Sequence, residues 1–184
     1  MPALGTRQDL RNIPLITIDG EDAKDFDDAV FAEPEANGNW RLIIAIADVA
    51  AYVTSDSPLD KEARMRGNSV YLPGTVIPML PEALSNGVCS LRPDEDRACL
   101  AVEIIISPQG LKQSHRFMRG LMRSHARLTY TAVQQVIDGQ IDESDLSVPT
   151  GVLHNLIGAY RCLSAARKMR GTLHLDVPER RIVF

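Results

Sequence analysis

The sequence predicts an α+β fold, a mixed or antiparallel sheet with helices packed against it. Three observations point there. Apolar runs of strand character recur through the first 107 residues, helical spacing dominates the end of the 184-residue chain, and no linker, repeat or low-complexity segment separates the two. One unit over residues 1–184 is therefore expected.

Residues 1–12 read as a polar lead-in, and strands are expected at 13–18, 29–32, 40–49 and 98–107. Between two of these, the segment Pro-Glu-Ala-Asn-Gly-Asn at 34–39 has the composition of a hairpin loop. A short helix is expected over 57–67: Ser57 can cap it, Pro58 suits its first position and Gly67 can end it. Residues 71–97 contain Pro73, Pro78, Pro81 and Pro93 and read as an ordered irregular loop. Helical spacing returns at 129–138 and 153–170, ended by Gly139 and Gly171, and the tail LHLDVPERRIVF returns to a strand.

At 45% hydrophobic and 24% charged, the composition is that of a globular chain rather than a disordered or fibrous one. A chain of this length can bury roughly 70% of its unfolded surface. No apolar run reaches the roughly 20 residues that cross a bilayer, and MPALGTRQDLRN lacks the apolar core of a secretory signal. Cys89, Cys99 and Cys162 are odd in number and too far apart for a CxxC motif, so buried, reduced thiols in a cytoplasmic protein are expected.

Charge is distributed unevenly. The net charge is −4, yet DGEDAKDFDD, residues 19–28, holds six carboxylates and one lysine, leaving +1 on the rest of the chain. Two stretches contain bases without acids: 104–137, with Lys112, Arg116, Arg119, Arg123 and Arg127, and 147–175, with Arg161, Arg167, Lys168 and Arg170. As a strand, 117–128 would turn Met118, Met122, Ala126 and Leu128 to the core and align Arg119, Arg123, His125 and Arg127 outside; a helix would also align several of these bases, so the period does not settle the element. Such a face is ordinarily just solvated, but beside a carboxylate nest it could follow a phosphate backbone.

Asp19 stands at the end of the apolar run PLITI, and Asp25, Asp27 and Asp28 follow six to nine residues later. Six extended residues span about 20 Å, so convergence requires GEDAK to fold back, with Gly20 as the expected positive-φ turn residue. Two carboxylates 4 Å apart repel by about 4 kcal/mol at an effective dielectric of 20. A cluster of them must raise its pKa values or take a cation. Hard divalent ions with oxygen ligands fit, with substrate phosphates completing the shell, and a pair of ions suits phosphodiester cleavage. An EF-hand loop from Asp19 fails because Lys24 stands where glycine is required. Asp25-Phe26-Asp27 matches a DxD only loosely, because GEDAK rather than a strand precedes it.

Several long motifs in register carry a family resemblance. DLRNIPLITIDGEDAKDFDDAV, WRLIIAIADVAAYV, LDKEARMRGNSVYLPGTVIPMLPEALSNGVCSLRPDEDR, ARLTYTAV and RGTLHLDVPE together resemble the RNB catalytic domain of the RNase II/RNase R exoribonucleases. The DGED form leans toward the RNase R side. The resemblance implies Mg²⁺-dependent hydrolysis of single-stranded RNA from its 3′ end to nucleoside monophosphates, with Mn²⁺ as the alternative ion. It maps the family's essential aspartates onto Asp19, Asp25, Asp27 and Asp28. Asp19 and Asp28 would hold one ion, while Asp25 and Asp27 would serve a second ion and the attacking water. It places Tyr71 against the 3′-terminal nucleotide and Tyr130 near the RNA path; a rigid ring beside Pro73 and Gly74 suits base stacking.

The family's catalytic domains are roughly twice this length, with an arginine-bearing motif in the second half and flanking cold-shock and OB-fold RNA-binding domains. The sequence thus reads as the N-terminal half of the domain, a fragment expected to be weakly active or inactive alone and prone to self-association through apolar surface. The alternative from another class is a non-catalytic RNA-binding or regulatory remnant.

Overall fold

The computed structural model describes residues 4–72 and 74–173. The strands are β1 (Gln8–Asp9), β2 (Ile16–Asp19), β3 (Asp28–Pro34), β4 (Trp40–Ala47), β5 (Val70–Leu72), β6 (Thr75–Ile77), β7 (Asp96–Ile106), β8 (Lys112–Arg123) and β9 (Ala126–Thr129). The helices are α1 (Pro58–Arg66), α2 (Tyr130–Ile137) and α3 (Val152–Met169). The predicted α+β fold is observed. Seven strands form one sheet in the order β1-β8-β7-β4-β3-β2-β9, mixed because β1–β8 and β2–β9 are parallel, and β5–β6 stand apart as a hairpin. The tail expected to return to a strand lies, beyond Leu173, outside the described residues.

Local chemistry explains the predicted elements that appear. The loop after β3 closes a β3–β4 hairpin, with the Glu35 amide donating to Asn39 and the Gly38 amide to Glu35. Ser57 caps α1 by accepting from the Asp60 amide, and Thr129 caps α2 by accepting from Ala132. The expected loop over 71–97 is partly regular instead: β5 and β6 pair with Tyr71 opposite Val76, and a π-type turn spans Ala83–Val88.

The polar lead-in is also more structured than its composition suggests. Arg7 pairs with buried Asp48 at 2.7 Å and reaches the carbonyls of Cys99 and Gly120, while Leu10 is fully buried. These contacts join residues 41 to 113 positions apart, beyond any local pattern.

Residues 117–128, whose period leaves strand and helix open, are strand with a break at residues 124–125. β8 pairs with β7, but β9 resumes two residues later against β2, at the opposite end of the strand order. Two residues span less than about 10 Å, so the sheet must curl to bring these ends together. The break also divides the predicted core face. Met122 joins the cluster of Leu15, Phe26, Phe31, Ile43 and Cys99, whereas Ala126 and Leu128 join Ile16, Val136, Val152 and Leu153 under α2 and α3. The four outer bases therefore do not form one track. Arg123 is paired with Asp96 at 2.7 Å, and Arg127 turns toward residues 20–26.

α3 lies on the other face of the sheet, over β3 and β4. Gly158 permits the approach: a Cβ there would come within 2.6 Å of the Trp40 ring. Among the described residues no helix is long and apolar enough to cross a membrane, and all three cysteines are free thiols, Cys89 and Cys99 buried.

Candidate active site

Two strand ends and one loop build the site. Asp19 is the last residue of β2, paired in register with Thr129 of β9, and Asp28 is the first of β3, opposite Ile46 of β4. Between them the chain leaves the sheet for residues 20–27 and returns where the Ala47 amide donates to the Asp27 carbonyl at 2.9 Å. The anticipated fold-back is present. Gly20, however, does not adopt a positive φ, and a Cβ on it would meet nothing within 4 Å. The reversal comes instead from a turn over residues 20–23, in which the Ala23 amide donates to the Gly20 carbonyl, with Asp19 Oδ1 accepting from the Gly20 amide at 2.7 Å.

Phe26 anchors the loop. Its ring is buried in the main core cluster, so Asp25 and Asp27 on either side are held at the rim. The Ser90 hydroxyl accepts from the Phe26 amide at 3.0 Å and donates to the Lys24 carbonyl at 3.1 Å. The Leu91 amide donates to the Phe26 carbonyl at 2.9 Å. On the opposite flank, Arg127 donates to the carbonyls of Gly20 and Glu21, at 3.2 and 2.7 Å, and lies 5.0 Å from the Phe26 ring centroid.

The electrostatics confirm that the aspartates sense one another. Asp27 and Asp28 both reach solvent, yet each has a raised pKa. At Asp27 desolvation leads, followed by the charges of Asp25, Asp28 and Asp19. At Asp28 desolvation again leads, then Asp19, partly offset by a backbone hydrogen bond. Among the described residues none of the four aspartates forms an ion pair with a base. The donor set therefore has the chemistry of a hard-cation site: oxygen only, mutually repelling and uncompensated. Its spacing is open, since among the described residues no group of three or more His, Cys, Asp or Glu is arranged to hold a metal ion. The side chains would have to draw together around one.

The two tyrosines separate. Tyr130 begins α2 directly after Thr129, and its hydroxyl pKa is raised by desolvation and then by Asp19 and Asp28, which places it beside the carboxylates. Tyr71 stands on the β5–β6 hairpin, opposite Val76, and is 71% exposed. Sequence reasoning missed Ser90 and named Arg127 only as one of four outer bases, although both lie in motifs quoted above.

Comparison with known proteins converges on one family. A model of the RNB domain matches residues 7–184. Ribonuclease R of Vibrio parahaemolyticus is 50% identical over 179 residues, covering 97% of this chain and 21% of the relative. Ribonuclease R of Escherichia coli is 50% identical over 182 residues, covering 97% and 22%. The solved structure of Mycoplasma genitalium RNase R in complex with ribose-methylated single-stranded RNA superposes with a TM-score of 0.89 at 35% identity, covering 96% of this chain and 28% of that one. The chain thus spans about a fifth of the length of the curated relatives it matches.

Proposed function

This chain belongs to the RNB domain family, and we propose that it contributes the carboxylate site of a hydrolytic 3′-to-5′ exoribonuclease acting on single-stranded RNA to release nucleoside monophosphates. One observation carries the reading: four aspartates from β2, β3 and their connecting loop share one end of the sheet, where desolvation and then the neighbouring carboxylates raise Asp27 and Asp28. Ribonuclease R relatives at 50% identity and a structural neighbour captured with RNA support it.

Mg²⁺, with Mn²⁺ as the alternative, is the ion this donor chemistry suits, and when bound it supplies positive charge to a phosphodiester and lowers the pKa of water. Asp19 and Asp28 would hold one ion; Asp25 and Asp27 would serve a second and orient the attacking water. Tyr130 lies where it can contact the substrate beside the carboxylates. Tyr71 would stack on the 3′-terminal nucleotide from the hairpin.

The test uses 3′-labelled single-stranded RNA, comparing the wild-type protein with Asp27→Asn. Release of mononucleotides should fall at least about a thousandfold, roughly 4 kcal/mol of barrier, while RNA binding persists. Retained cleavage would overturn the assignment. The open spacing of the aspartates favours a second reading, an RNA-binding remnant. That protein would bind RNA with salt-dependent affinity yet release no mononucleotide with Mg²⁺ or Mn²⁺.

A further inference from the structure

We propose that Arg127 and Ser90 are positioning residues that clamp the carboxylate loop from its two flanks. The loop carries like charges and has left the sheet, and within it the Ala23 amide donates to the Gly20 carbonyl at 3.2 Å. Further support comes from residues distant in sequence. Arg127 holds the carbonyls of Gly20 and Glu21 on one side, and Ser90 with Leu91 holds Lys24 and Phe26 on the other. The loop backbone is thereby tied at four residues, flanking Asp25 and following directly on Asp19.

The choice of side chains suits the task. A guanidinium can donate to two adjacent carbonyls from one nitrogen, here Nη2, while its plane covers an aromatic ring, and an ammonium has no such plane. Arg127 is exposed, so its truncation removes little core packing. Ser90 is fully buried, and its carbonyl accepts from Arg97 Nε at 2.8 Å, which fixes the hydroxyl opposite the loop. Its single hydroxyl serves both an amide and a carbonyl, and alanine would leave both unpaired.

The catalytic consequence rests on the nuclease reading above; the clamp itself does not. Amide hydrogen exchange of this chain in metal-free buffer therefore comes first. Arg127→Ala should speed exchange across residues 20–28 on the order of tenfold and leave the melting midpoint nearly unchanged. Arg127→Lys should resemble alanine, because it keeps the charge and loses the planar group that covers Phe26 while Nη2 reaches both carbonyls. Exchange unchanged in Arg127→Ala, or fully restored by lysine, would overturn the clamp. Ser90→Ala should loosen the same peptides from the other flank. Mn²⁺ binding followed by electron paramagnetic resonance then tests positioning. Weaker binding in Arg127→Ala supports it, and equal binding despite a loosened loop overturns it. Absence of Mn²⁺ binding in the wild type would instead count against the nuclease reading and leave the clamp to be judged by exchange. In the ribonuclease assay above, kcat of Arg127→Ala should fall and its Mg²⁺ requirement rise, with KM for RNA unmoved.

Discussion

Two acidic sites in this chain are treated in opposite ways. At the start of α3, the buried Glu143 carboxylate accepts from the amides of Gly151 and Leu153, at 3.0 and 2.6 Å, and from His154 Nδ1. Burial works against its ionisation, but the bonds from His154 and the two amides outweigh it and hold the pKa below the ordinary glutamate value. At the sheet end, Asp27 and Asp28 face other carboxylates and are pushed up. Glu143 caps a helix whose first amides would otherwise be unpaired. Desolvation and the neighbouring carboxylates make the ionised forms of Asp27 and Asp28 oppose folding, as groups kept for binding rather than for stability would.

The sharpest way to break the comparison is Glu143→Ala. It leaves buried donors without an acceptor and should cost about 3 kcal/mol, lowering the thermal midpoint by roughly 6–12 °C. A loss under about 1 kcal/mol would mean that α3 does not depend on this cap.

The pH response should divide the sites by sign. Glu143 has a lowered folded pKa, so its contribution is complete above the unfolded carboxylate value of about 4.3 and is lost as pH falls through the folded value. Asp27 and Asp28 have raised folded pKa values. Their opposition to folding is complete above those values and disappears as pH falls toward the unfolded value. In chelator-treated buffer near pH 7, Asp27→Asn should therefore raise the midpoint by ~1–3 °C. Near pH 3 the gain should vanish. A lower midpoint at neutral pH would show that this carboxylate supports the fold.

The smallest effect is expected at Gly20. Its backbone is not in the left-handed region and its Cβ position is open, so Gly20→Ala should change stability by less than ~0.5 kcal/mol. A larger loss would restore the turn role that the sequence suggests.

Much of the site is legible in the sequence because its donors are contiguous. Asp19, Asp25, Asp27 and Asp28 lie within ten residues, between apolar runs that become β2 and β3. The helix cap Ser57 is legible for the same reason, since a cap acts over three residues. Glu143 is not: its carboxylate caps a helix that begins nine residues later, and no short-range pattern announces it. The split between Tyr71 and Tyr130 also escapes the sequence. Only the pairing of β2 with β9 sets Tyr130 beside Asp19.

The sequence by itself determined the fold class, the family and the identity of the acidic residues, because hydrophobic period and motif spacing are local quantities. The tertiary structure decided which residues serve those acids. A two-residue break between β8 and β9 curls the sheet, delivers Arg127 to the loop and separates it from Arg119 and Arg123. That outcome depends on strand pairing across more than a hundred residues, where the deciding energy is burial shared between distant segments rather than any preference of the residues themselves.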